Sequence, residues 1–143
     1  MIKMGEDCLF CRIVKGEIPC QKVFEDEEVL AFLDINPAGT YDGHTLLIPK
    51  KHFSNKIEEM DRETLKHYFS VLKKIVPAVR KASGTEAVNL IQNSGKEAGQ
   101  IINHFHIHII PRGEGDNISI NENRRHNVEG LEEVAANVKE AIE

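Results

Sequence analysis

Apolar positions along the chain change period several times, and each change marks an expected element. Cys8 to Lys15 carries Leu9, Phe10, Ile13 and Val14 at helical spacing and runs into Gly16, which predicts a short helix. Lys22 to Glu25 and Val29 to Leu33 are short apolar-rich runs on either side of Asp26-Glu27, the pattern of a hairpin. Asp34 to Gly43, with Pro37 and two glycines, reads as a loop, and His44 to Pro49 returns as a strand. The strongest periodicity lies in Asp61 to Ser83, where Leu65, Tyr68, Phe69, Leu72, Ile75, Val76, Val79 and Ala82 recur at intervals of three and four. Asp61 can cap that helix and Gly84 can end it, while Pro77 removes one backbone donor and predicts a kink. Ala87 to Gln92 and His104 to Pro111 are two further expected strands, joined by the loop Asn93 to Asn103. A polar, irregular stretch from Gly113 to Asn127 precedes a terminal helix sketched by Leu131, Val134, Ala135, Val138 and Ile142. Strands around one long helix, without a βαβ rhythm, make an α+β domain of about five antiparallel strands.

The 143 residues fit a single domain, 1–143, with its core in about 8–112 and a variable tail over 113–143. A formal charge of −5 with no Lys/Arg run longer than two argues against a nucleic-acid partner. Purely apolar runs stop at about five residues, far short of the ~20 that a membrane span needs. Residues Met1 to Asp7 carry no apolar signal-peptide core, which makes a cytoplasmic location the expectation. Three cysteines in such a compartment are expected to be free or metal-bound.

The seven histidines change the picture most, because three of them alternate in His104-Phe105-His106-Ile107-His108. On a strand that period places three imidazoles on one face, about 6.6 Å apart, with Phe105, Ile107 and Ile109 on the other. Three chemistries suit such a row: a polar edge, a metal site, or a catalytic row with one neutral imidazole as nucleophile. Spacing alone does not separate the last two. Cys8-x-x-Cys11 is equally open between a redox pair, a disulfide and half of a metal site.

Longer motifs narrow the choice. The stretch from Asn93 through Gly99-Gln100-Ile101 and the triad to Pro111-Arg112 closely resembles the signature of the histidine triad (HIT) family. Asp34-Ile35-Asn36-Pro37, Gly43-His44 through Pro49-Lys50-Lys51-His52, and the opening Cys8 to Pro19 are similar to it as well. The likeness is to the Hint-type branch. It implies a HIT-like fold and hydrolysis of purine nucleoside 5′-monophosphate conjugates, AMP phosphoramidates above all, through a covalent nucleotidyl-histidine. Dinucleoside polyphosphate hydrolysis, or non-catalytic nucleotide or zinc binding, are the alternatives.

By position in the motif, His106 is the expected nucleophile and the His104 carbonyl orients it. His108 faces the phosphate oxygens and His44 supports the row from the neighbouring strand. Asn93 and the backbone of Gly99, Gln100 and Ile101 would meet the phosphate or leaving group, and Asp34 the ribose hydroxyls. The resemblance further implies a structural zinc held by Cys8, Cys11, His52 and His104, and a two-fold homodimer. Two departures stand out. Asp34 and His44 are ten residues apart, two more than is usual in the branch, and Ile101 stands where many relatives carry Ser or Thr. His at the third triad position favours a hydrolase over a transferase. Cys20 fits no motif and reads as a small filler or surface thiol, and His67 and His126 read as solvated surface residues.

Overall fold

In the computed structural model, residues 7–116 and 124–143 are described. The signal-peptide reading of residues 1–6 and the part of the polar tail over 117–123 lie outside them. Helix α1 (Leu9–Val14) is followed by β1 (Lys22–Glu25), β2 (Val29–Leu33) and β3 (Thr45–Pro49). After a 3-10 turn at Ile57–Glu59 come the long helix α2 (Arg62–Ser83), β4 (Ala87–Ile91), a 3-10 turn at Lys96–Ala98, β5 (Ile107–Arg112) and α3 (Leu131–Ala141). The strands form one antiparallel sheet in the order β1-β2-β3-β5-β4.

Local chemistry accounts for the elements. Asp26 closes the β1–β2 hairpin by accepting from the Glu28 and Val29 amides at 2.8 and 2.9 Å. Asp61 caps α2 by accepting from the Thr64 amide at 3.1 Å, and Gly84 ends it at φ 71°, ψ 24°, a conformation that glycine adopts without penalty. The helix runs uninterrupted through Pro77. Pro77 is exposed, so the carbonyl that loses its donor lies on the water side of the helix.

The sheet is covered on both faces, which is why β2 and β3 are buried at every position. On one face α2 and α3 bury Val29, Ala31, Leu47, Ile75, Val79, Phe105, Ile107, Ile109 and Val138. On the other, α1 brings Phe10 and Ile13 onto Leu30, Phe32, Leu46 and Ile48. Phe69, counted in the apolar stripe of α2, is 41% exposed.

The expected strand over His104 to Pro111 is corrected, because the regular ladder begins only at Ile107. Its register with β3 ends at Leu47–Ile107, and two residues further on stands Pro49, which has no amide to give. The Pro49 carbonyl accepts from the His104 ring at 2.8 Å, and Phe105 N donates to Phe53 instead at 2.8 Å. The side chains still alternate. Phe105 and Ile107 enter the α2 core while His104 and His106 meet Phe10 of α1, with ring centroids 5.9 and 5.1 Å away.

Candidate active site and metal centre

The histidines on the α1 side of the sheet divide into two clusters. In the first, Cys8 and Cys11 come from the start of α1, His52 from the segment after β3 and His104 from the segment before β5. Their donor atoms all lie within 4.8 Å of one another. Cys8 Sγ is 3.3 Å from His104 Nδ1, and Cys11 Sγ is 3.3 Å from His52 Nδ1 and 3.5 Å from His104 Nδ1. A tetrahedral zinc with ordinary bond lengths spaces its donors by about 3.3–3.8 Å, so the set fits that ion. His104 Nε2–H donates to the Pro49 carbonyl, which leaves the Nδ1 lone pair facing the sulfurs. Burial pushes the Cys11 thiol up to about 11 and His104 down to about 4. These groups are therefore neutral without a cation, and a bound one would draw the protons off the thiols.

The second cluster is a chain of hydrogen bonds whose direction the backbone dictates. The Ala38 amide donates to His44 Nδ1 at 2.9 Å. A neutral His44 must then carry its one proton on Nε2, which donates to His108 Nδ1 at 2.9 Å. His108 in turn carries its proton on Nε2. The His106 ring lies 5.0 Å from that of His108, and its Nδ1–H donates to the His104 carbonyl at 2.6 Å, which leaves Nε2 as a free lone pair. Burial holds the His106 and His44 imidazoles below the ordinary range, the latter well below, and pushes His108 down to about 3. All three are neutral at pH 7.

His106 and His108 open into a cavity of about 320 Å³ that Phe10, Ile13, Ile18, Phe32 and Leu46 also line. Asp34, Asn93, Gly99 and Ile101 line the same cavity. Asn93 donates to the Gly99 carbonyl at 3.5 Å. Gln100 turns its side chain back onto the Gly95 amide at 2.8 Å and is not among the lining residues. Ile101 is 80% exposed at this cavity. Cys20 is half-buried beside the Phe10 cluster and its thiol is raised by burial.

His67 departs from the expected solvated role. Its Nε2 lies 2.7 Å from Asp26 Oδ2, tying α2 to the β1–β2 turn. His126 is exposed. Three further groups escaped the sequence reading. The Pro49 carbonyl and the Ala38 amide are backbone, and Arg124, which also lines the cavity, pairs with Asp34 at 2.6 Å across 90 residues. Only its position in an Arg124-Arg125 pair inside a polar tail hinted at it.

The sequence pattern of the HIT domain matches residues 15–115. The chain belongs to the histidine triad family. It is 46% identical over 132 residues to an uncharacterized HIT-like protein of Methanocaldococcus jannaschii, covering 92% of this chain and 98% of that one. An adenylylsulfatase of Arabidopsis thaliana is 44% identical over 126 residues, 87% of this chain and 62% of the relative. An adenosine 5′-monophosphoramidase of Schizosaccharomyces pombe is 46% identical over 105 residues, 73% and 74%. Among solved structures, a zinc-bound histidine triad protein from Mycobacterium smegmatis superposes with a TM-score of 0.82 at 36% identity, covering 96% of this chain and 94% of that one. The fold is therefore the HIT fold. No helix among the described residues is long and apolar enough to cross a membrane.

Proposed function

We propose that this HIT protein hydrolyses purine nucleoside 5′-phosphoramidates, with His106 as nucleophile. The observation that carries the reading is the His106 ring, whose Nδ1–H is committed to the His104 carbonyl while Nε2 is an unprotonated lone pair beside the cavity. A buried neutral imidazole is a competent nucleophile at pH 7 without prior proton removal. Its Nε2 forms a bond to the α-phosphorus as the phosphorus–amine bond breaks. Water then cleaves the nucleotidyl-imidazole, so that phosphoramidate and water yield nucleoside monophosphate and amine. His108, with its proton held on Nε2 by the relay from Ala38 and His44, gives an N–H to the oxygens where charge builds.

The apolar cavity residues suit a flat base, Asp34 the ribose hydroxyls, and Asn93 with the Gly99 and Ile101 backbone the phosphate. The relative named as a monophosphoramidase supports the amide as leaving group. Zinc on Cys8, Cys11, His52 and His104 is the metal we assign, and its closed donor set suits structure rather than chemistry. The solved zinc-bound relative supports it. A homodimer through the exposed edge strand β4, where Leu90 is 49% exposed, completes the reading. Light scattering of the purified chain checks that last point, a monomer mass excluding it.

The deciding experiment compares turnover of an AMP–lysine amide, adenylyl sulfate and a diadenosine polyphosphate, with mass spectrometry of the trapped protein. The amide is expected to react fastest and to leave an AMP adduct on His106. Faster cleavage of the diadenosine compound would move the protein to another enzymatic branch, and no turnover or adduct with any of the three would leave a binding protein.

A further inference from the structure

Residues 124 and 125 lie beyond the matched family pattern, yet they are bound to the loop between Asp34 and His44. Arg124 forms an isolated antiparallel bridge with Ala38, and the Arg125 amide donates to the Pro37 carbonyl at 2.9 Å. The Arg125 guanidinium donates to Asp42 Oδ1 at 3.0 Å and to the Tyr41 carbonyl at 3.2 Å. The loop that carries the two extra residues is thus strapped from outside.

Asp34 sets a problem that this strap solves. Its Oδ1 accepts from the Asn36 amide at 2.8 Å, and its Oδ2 lies 3.7 Å from His44 Nε2. His44 has one ring proton, because the Ala38 amide occupies Nδ1. That proton can go to His108 Nδ1 or turn toward the carboxylate, and it cannot serve both. An ionised acceptor makes a hydrogen bond about twice as strong as a neutral one, so a bare Asp34 would compete well. The Arg124 guanidinium meets Oδ2 at 2.6 Å.

We propose that Arg124 is a positioning residue: by holding Asp34 Oδ2, it directs the single Nε2 proton of His44 onto His108. The charge acts in the same sense. Burial is the main reason that His44 and His108 sit below the usual imidazole range, and Arg124 adds to the effect on both. The proton arrangement is a property of the folded chain, and only its use in turnover rests on the proposed hydrolase reading.

The test uses the ¹⁵N-labelled, zinc-loaded protein at pH 7, with long-range imidazole NMR to report which nitrogen of each histidine is protonated. Wild type is expected to show His44 and His108 protonated on Nε2 alone. Arg124→Gln is expected to leave His44 protonated on Nε2 but to mix the two tautomers of His108, whose Nδ1 loses its donor, and Arg124→Lys and the double variant Asp34→Asn/Arg124→Gln to restore the wild-type pattern. Arg125→Gln, which loosens the strap without touching Asp34, should leave it intact. In turnover of the AMP–lysine amide, Arg124→Gln should lose kcat about ten-fold. The double variant should regain most of kcat while keeping a raised KM, and the His108 tautomer is the readout that a merely structural arginine would not move. An unchanged pattern in Arg124→Gln, equal disturbance in Arg125→Gln, or no rescue by Asp34→Asn overturns the proposal. Should Arg124→Gln fail to fold, Asp34→Asn alone decides: loss of the Nε2 pattern there overturns the proposal, since no carboxylate is left to compete. A wild type inactive on every nucleotide conjugate would sink the hydrolase reading, and the NMR would still decide this one.

Discussion

The two imidazole clusters lie side by side and share one short segment, yet they are wired oppositely. Around Cys8, Cys11, His52 and His104 the four possible ligand atoms converge within 4.8 Å of one another, a geometry that fits a tetrahedral cation. From the Ala38 amide through His44 to His108, donors and lone pairs alternate, a geometry that holds protons, and beside them the His106 ring donates to the His104 carbonyl. Among the imidazoles, residue type does not make the difference. Each ring is assigned its role by what occupies its other nitrogen: the Pro49 carbonyl for His104, the His104 carbonyl for His106, the Ala38 amide for His44. His104 serves both clusters, through its ring in one and its carbonyl in the other.

The sharpest way to break this contrast is to replace the proposed nucleophile. His106→Ala should lower turnover of an AMP phosphoramidate by on the order of 10⁴-fold while AMP binding and zinc content stay unchanged. Comparable turnover in the variant would show that the alternating cluster does no covalent chemistry.

Next in size is the converging cluster. Cys11→Ser should reduce bound zinc from about one per chain to near zero. Because structural metal binding is coupled to folding, Tm should fall by roughly 10 °C or more. Metal content by mass spectrometry and a melting curve with and without chelator check it, and equal, near-zero zinc in both proteins would refute the site.

A smaller effect tests the relay. His44→Gln should cost about 10²-fold in kcat, through loss of the proton that fixes the His108 tautomer, with zinc content unaffected. Loss of zinc in that variant would mean that the clusters are not separable.

Acid should unfold the protein through its buried rings. His108 titrates at about 3 when folded, against about 6.5 in an open chain, so between those values the unfolded state binds more protons. Stability should therefore be complete above pH 6.5 and fall as the pH drops toward 3. Urea unfolding at a series of pH values measures the slope, and His108→Asn should flatten it. The smallest change is expected at His67, outside both clusters. Its half-exposed pair with Asp26 should be worth no more than about 1 kcal/mol, so His67→Ala should barely move the urea midpoint.

Much of the frame was legible from residues close together in the chain. Alternation placed Phe105 and Ile107 in the core opposite the imidazoles, and Asp61 and Gly84 marked both ends of α2. The start of β5 was not legible. His104 to Phe105 keeps the two-residue period but cannot pair with β3, where Pro49 has no amide and gives its carbonyl to a side chain. Asp34 illustrates the same limit in the site. Motif position marked it, but its partner Arg124 stands 90 residues away in a tail without periodicity.

By itself the sequence determined which side chains share a face and which atoms were available to ligate or attack, because those follow from chain period and residue chemistry. The tertiary structure decided which nitrogen of each imidazole is free. That depends on single backbone and side-chain groups, brought within 3 Å from 55 residues away for Pro49 and His104 and from 90 for Arg124 and Asp34. A hydrogen bond of that range leaves no periodic trace in the chain, and it is what separates the proposed metal ligand His104 from the proposed nucleophile His106 two residues further on.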